Sequence, residues 1–134
     1  MAFEKLVVGQ QARLRKTIER ADVVGFAAIT GDTNPVHLDE DYARGTQFCG
    51  CIAHGMLTGS LFSTLLGTQL PGHGAIYLSQ SFKFLAPVWI GDQVEAEVTI
   101  AELIPARRRV RLDCMAWVKG RPVVSGEAMI MVPA

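Results

Sequence analysis

His54-Gly55-Met56-Leu57-Thr58-Gly59-Ser60-Leu61-Phe62-Ser63-Thr64-Leu65-Leu66-Gly67 contains no charged residue. Its apolar residues spread around a helix, and the others are mostly small: Gly59, Ser60, Ser63 and Thr64. A helix with no charged side reads as a buried one, and small residues let a neighbouring backbone or a ligand come close. Pro71-Gly72-His73-Gly74 then ends it in a loop. Four segments follow, at residues 75–86, 92–104, 107–118 and 123–132, all rich in β-branched and aromatic residues. Turn signals separate them at Gly91-Asp92, Pro105 and Lys119-Gly120-Arg121-Pro122. In the third, Val110, Leu112, Cys114, Ala116 and Val118 alternate with Arg107, Arg109, Arg111 and Asp113, which gives one apolar and one charged face.

A bent antiparallel sheet with one apolar face must cover that face, and the chargeless helix is available to do it. Arg13 to Ile18 adds a short alternating edge strand. The predicted class is α+β, a curved antiparallel sheet wrapped around a central apolar helix, the hot-dog arrangement. At 134 residues the chain is predicted to be one domain, residues 1–134, large enough for its own core. With 49% hydrophobic and 19% charged residues the composition is globular. A net charge of zero points away from nucleic acid and from a polybasic membrane surface. No apolar run reaches spanning length and the N-terminus lacks an apolar signal core, so a cytoplasmic location is expected. Cys49, Cys51 and Cys114 are an odd set that makes no disulfide framework. Cys49-x-Cys51 with His54 does not match the usual zinc spacing, so no metal is expected.

Ahead of the chargeless helix, Val23, Val24, Phe26, Ala27 and Ile29 give a helical period over residues 20–30, with Asp22 near its start. That helix runs out into Gly31-Asp32-Thr33-Asn34-Pro35-Val36-His37, where Pro35 forces Asn34 out of helical geometry. A carboxylate, an amide and an imidazole are thus presented from a stiff, irregular loop. Asp32 and His37 read as a water-activating acid/base pair. Asp39 to Ala43 looks like one further turn, capped by Asp39.

The stretch from Phe26 to Ala43 resembles the signature of the MaoC-like or hydratase-2 family. That signature has an aromatic, a Gly-Asp-x-Asn-Pro-aliphatic-His core, and a small residue six positions later. Ile52-Ala53-His54-Gly55-Met56-Leu57, the Leu85-Ala86-Pro87-Val88 and Gly91-Asp92 stretch, and the length match as well. The length is most similar to the short (R)-specific enoyl-CoA hydratases that supply monomers for polyhydroxyalkanoate synthesis. The resemblance implies reversible, stereospecific syn addition of water to a trans-2-enoyl-CoA. It also implies a homodimer with the thioester between subunits, and no metal or redox cofactor, CoA being part of the substrate.

Syn addition puts proton removal from water and proton delivery to C2 on one face of the double bond. Two adjacent groups such as Asp32 and His37 can serve both steps, and they titrate as a unit. Negative charge on the thioester oxygen suits the free N–H groups and dipole at the start of the chargeless helix, so the Gly55 N–H is the expected oxyanion donor. His54 beside it is expected to fix the helix start. Asn34 is expected to orient the loop or Asp32. Ser63, eight residues past Gly55, is expected on the same face, bonded either to a member of the pair or back to a carbonyl one turn earlier. Leu61, Leu65, Leu66, Met129 and Met131 are the expected acyl lining, although core packing explains them equally. Lys83 and Arg107-Arg108-Arg109 are possible partners of the CoA diphosphate, or else a solvated strand face.

Two other functions share these features. A dehydratase acting on carrier-protein thioesters would use the same pair, and a non-catalytic acyl-CoA-binding module would use the same pocket. A thioesterase fits less well, because residues 54–67 carry no carboxylate.

Overall fold

Three strand irregularities bend the sheet. Register shifts lie between Ile100 and Glu102, between Ala116 and Trp117, and between Tyr77 and Ser79, and each such bulge increases local twist. The computed structural model describes residues 1–134. After a 3₁₀ turn at Phe3–Lys5 come β1 (Gln11–Thr17), α1 (Arg20–Thr30), α2 (Pro35–Leu38), α3 (Glu40–Arg44) and α4 (Gly55–Thr68). Then follow β2 (Ile76–Gln80), β3 (Lys83–Phe84), β4 (Gln93–Ile104), a second 3₁₀ turn at Pro105–Arg107, β5 (Arg109–Val118) and β6 (Arg121–Met131). The strands form one antiparallel sheet in the order β1-β4-β5-β6-β2, with β3 also paired to β6. The sheet wraps α4, as the hot-dog reading anticipates.

The core is the α4–sheet interface. Phe62, Leu65 and Leu66 are almost fully buried, as are Val94, Val98, Ile100, Val110, Leu112 and Ile130 from the strands. Burying a side chain of this size contributes about 1.5–3 kcal/mol. The alternation read in β5 holds, with Val110, Leu112, Cys114 and Ala116 inward. Arg111 points outward and pairs with Glu102, Asp113 and Glu127.

Three expectations need correction. The strand expected over residues 75–86 is two, β2 and β3. At Ser81 the chain runs over Gly126, where a Cβ would overlap the Ser81 carbonyl, and the ladder is interrupted. The last hairpin turn is only Lys119-Gly120, both at positive φ, which matches the right-handed twist of the flanking strands. Pro122 therefore lies inside β6, opposite Trp117 at a bulge. Finally, α4 is not buried all round: Met56, Ser60, Ser63, Thr64, Gly67 and Thr68 are exposed in the single chain. Small hydroxyl residues keep that side neutral without hiding it.

None of the three cysteines is in a disulfide. Burial raises the Cys114 thiol to about 11 and also lifts Cys51, so both are protonated at neutral pH. Arg108 joins the chain ends. Its guanidinium donates to Glu4 at 2.7 Å and to the carbonyl oxygens of Val132 and Pro133, and lies 5.4 Å from the centre of the Phe3 ring.

Candidate active site

The chain entering the site is shaped by a sequence of local caps. Glu19 and Asp22 form a reciprocal capping box at the start of α1, and the Glu19 N–H holds the Asp22 carboxyl below its ordinary range. Gly31, at φ 78°, ends α1 and donates to the Ala27 carbonyl. The Asp32 N–H then donates to Thr30 Oγ1 at 3.1 Å, and the Asn34 N–H to Asp32 Oδ1 at 3.3 Å. Asn34 Oδ1 accepts from the Val36 N–H at 3.2 Å, and Pro35 takes the first helical position, where its missing N–H costs nothing. The result corrects the expected irregular loop. His37 stands on a single helical turn, α2, started by the same Asn-Pro pair that was expected to break the helix.

This turn aims the imidazole. His37 is buried, with Nδ1 2.7 Å from the Ile52 carbonyl oxygen. A carbonyl only accepts, so Nδ1 carries a proton, and Nε2 is the nitrogen left to exchange one with a substrate. A carboxylate oxygen of Asp32 and one nitrogen each of His37 and His54 all lie within 4.8 Å of one another. Asp32 is exposed, and it and both histidines line a cavity of about 600 Å³, a size suited to a small-molecule site. Phe26, Phe48, Met56, Phe84, Leu85 and Val88 make much of its wall apolar.

Gly55 also lines this cavity, at the first position of α4. Neither its N–H nor that of Met56 donates to an acceptor in the chain, which leaves them available to a ligand oxygen. A methyl group at Gly55 would sit 2.6 Å from the Phe84 ring. The same restriction holds one turn later, where a methyl at Gly59 would strike Phe82. Phe62, Phe82 and Phe84 form a stacked run, with centroids 6.3 and 5.8 Å apart. Phe82-x-Phe84 at strand spacing and Gly55-x-x-x-Gly59 at helix spacing are the two halves of one fit. These two spacings are the sequence signal that points to Phe84.

His54 is the second feature outside the expectations. It is buried, its Nε2 lies 3.0 Å from the Asp32 backbone carbonyl oxygen, and its ring stacks on His37 at 3.9 Å between centroids. The Phe26 ring also packs against it, tilted by 51° with 4.7 Å between centroids. Its Nδ1 has no hydrogen-bond partner, and neither does Oγ1 of buried Thr58 one turn along; a buried polar atom left unpaired costs about 1–3 kcal/mol. Although Asp32, His37 and His54 are close enough to suggest a chelate, the two rings are only 29° from parallel. A metal bonds imidazole nitrogen in the ring plane, and two stacked rings share no such point at bonding distance.

Other expected site residues lie elsewhere. Ser63 is exposed and outside the cavity lining. Eight residues at 3.6 per turn place it roughly 80° around the helix from Gly55. Leu65 and Leu66 face the sheet in the core, about 15 Å along α4 from Gly55, and half-buried Met131 ends β6; none lines this cavity. Of the basic candidates, Arg108 is engaged by the chain ends, while Lys83 on β3 is exposed.

Residues 5–114 match the family model for the MaoC-like domain. A 3-hydroxybutyryl-CoA dehydratase of Methylorubrum extorquens is 55% identical over 98% of this chain and 83% of its own length. An (R)-specific enoyl-CoA hydratase of Rhodospirillum rubrum is 51% identical over 98% of this chain and 92% of its own. Among solved structures, an (R)-hydratase from A. caviae involved in PHA biosynthesis superposes with a TM-score of 0.95 at 46% identity, covering 97% of this chain and 99% of that one.

Proposed function

This chain belongs to the MaoC-like domain family, and on that premise we propose that it is a hydro-lyase, an (R)-specific enoyl-CoA hydratase. It adds water reversibly across the double bond of a trans-2-enoyl-CoA to give the (R)-3-hydroxyacyl-CoA. The observation that carries this reading is one apolar cavity faced by the Asp32 carboxylate, the His37 imidazole and the uncommitted N–H of Gly55. Its support is the set of relatives at 51–55% identity whose names state this chemistry, hydration in one case and the reverse dehydration in the other.

In this mechanism a water molecule sits between Asp32 and His37. As its oxygen bonds to C3, its proton passes to the pair, and the pair returns a proton to C2 on the same face. Because Nδ1 of His37 is already committed to Ile52, Nε2 is the nitrogen that exchanges protons. Transfer positioned in this way is worth roughly 10²–10⁴-fold. The thioester oxygen gains negative charge as the enolate forms, and the Gly55 N–H donates to it. No metal or redox group takes part, and CoA belongs to the substrate. Asn34 takes no proton in this scheme; it caps α2 and so orients His37.

We further propose that the chain works as a homodimer in the cytoplasm. The outer strand β2 leaves Ile76, Tyr77 and Leu78 exposed, and Met56, Phe84 and Leu85 are exposed beside the cavity. An open apolar edge of this kind favours pairing with another strand, and a light-scattering mass equal to one chain would refute it. Supply of (R)-3-hydroxyacyl-CoA to polyhydroxyalkanoate synthesis is the role we propose, by similarity to the A. caviae protein. The direct test is loss of enoyl absorbance with crotonyl-CoA, followed by chiral analysis. Formation of (R)-3-hydroxybutyryl-CoA is the expected result. Turnover only of carrier-protein thioesters would replace this reading with the dehydratase one, and silence on every thioester would leave a binding module.

A further inference from the structure

We propose that His54 is a positioning residue that fixes Asp32 and His37 relative to each other, a role that rests on the hydratase reading. Asp32 lies past the end of α1, and His37 stands on α2. Their own link is short and local, through Asn34. The ring of His54, from the start of α4, reaches both. Its Nε2–H donates to the Asp32 carbonyl oxygen at 3.0 Å, and its face lies against His37 at 3.9 Å, with Phe26 also packed against it.

A structural purpose does not explain this ring. His54 precedes α4, yet its side chain makes no capping hydrogen bond to the first turn. Its Nδ1 has no partner within the chain, so the Nε2 bond to the Asp32 carbonyl is the one hydrogen bond this side chain makes to the rest of the chain. What phenylalanine lacks is the donor to Asp32, and what an amide side chain lacks is the flat face for His37. Imidazole supplies both from one position. His54 also sits beside Gly55, so the same residue sets the distance between the acid/base pair and the oxyanion donor.

His54→Phe and His54→Gln separate the two halves of this role. His54→Phe keeps a ring against His37 and loses the donor; His54→Gln keeps an N–H donor and loses the stacked face. Each is expected to lower kcat on crotonyl-CoA by about 10²-fold, the effect of a small misplacement of reacting groups. KM should stay within about twofold, because the apolar wall formed by Phe48, Met56, Phe84, Leu85 and Val88 is unchanged. Amide hydrogen exchange at Asn34, whose N–H is bonded to Asp32, should quicken in His54→Phe and stay near wild type in His54→Gln. Wild-type kcat in both variants overturns the proposal, as does a loss of kcat that merely follows the melting temperature. If the wild-type protein hydrates no enoyl thioester, the hydratase reading fails by itself. Asn34 exchange still decides the role of His54, and unchanged exchange in His54→Phe refutes it.

Discussion

In the C-terminal half of α4, Phe62, Leu65 and Leu66 lie against the sheet and their side chains have no polar atom to satisfy. At its N-terminal end, His54 and Thr58 are as deeply buried, and each leaves a polar atom without a partner. One helix thus holds a region settled by packing and a region where hydrogen bonding is left incomplete. The first contributes stability in proportion to the apolar area removed from water. The second holds its unpaired groups beside a cavity, where a substrate can use the nearby free N–H groups. Substitutions at the two ends should accordingly separate turnover from stability.

The largest effect is expected at the site end. Asp32→Asn and His37→Gln should each lower kcat by about 10²–10⁴-fold with little change in the melting midpoint. The double variant should lose little more than either alone, because members of one proton-transfer unit are not additive. Near-wild-type turnover in either purified variant would remove the pair from the mechanism. At the packed end, Phe62→Ala should cost about 3–5 kcal/mol in urea unfolding while the folded fraction keeps its kcat. A fall in kcat without a fall in stability would break the division of labour between the two ends.

The two glycines sharpen the comparison further, since each is confronted by a phenylalanine ring. Gly55→Ala keeps the backbone N–H but puts a methyl group against the Phe84 ring beside it. As a result, kcat should fall by about 10²-fold through misplacement of the thioester, with little loss of stability because Phe84 is exposed and can swing aside. A pure loss of stability there would make Gly55 a packing residue. Gly59→Ala should instead destabilise by about 1–3 kcal/mol through overpacking, with Phe82→Leu restoring most of it and kcat unchanged. The smallest effect concerns the cap of α1. The Asp22 carboxyl is held below its ordinary range by the Glu19 N–H, so its contribution is present at neutral pH and is lost as pH falls through the folded-state value. The stability difference between wild type and Asp22→Asn should therefore shrink as the solution is acidified. A difference constant from neutral to acid pH would show that charge is not what this cap uses.

Local rules made much of this molecule legible. The alternation in β5, the chargeless stretch of α4 and the Asp-x-Asn-Pro-x-His spacing are each written within a dozen residues. They place the sheet and the helix correctly, and the residues they single out, Asp32 and His37, line one cavity. What escaped depends on separation or on angle. His54 reaches Asp32 across 22 residues, and no periodicity announces a stack between rings on two elements. A spacing of eight residues looks like the same helix face but lands Ser63 about a quarter-turn away from Gly55. For Leu65 and Leu66 the sequence leaves acyl lining and core packing equal, because apolar residues look alike in sequence. Their side of the helix faces the sheet, two to three turns beyond the cavity.

The Arg108 guanidinium touches Glu4 near one end of the chain and Pro133 near the other. The two termini are therefore neighbours on one surface, away from the residues that line the cavity. A short glycine-rich linker joining Ala134 to Met1 would close the backbone into a ring, which could be reopened at the exposed Lys119-Gly120 turn. Such a circular permutant should keep both the sheet order and the cavity. Arg108 would then bridge a loop where it now bridges two free ends.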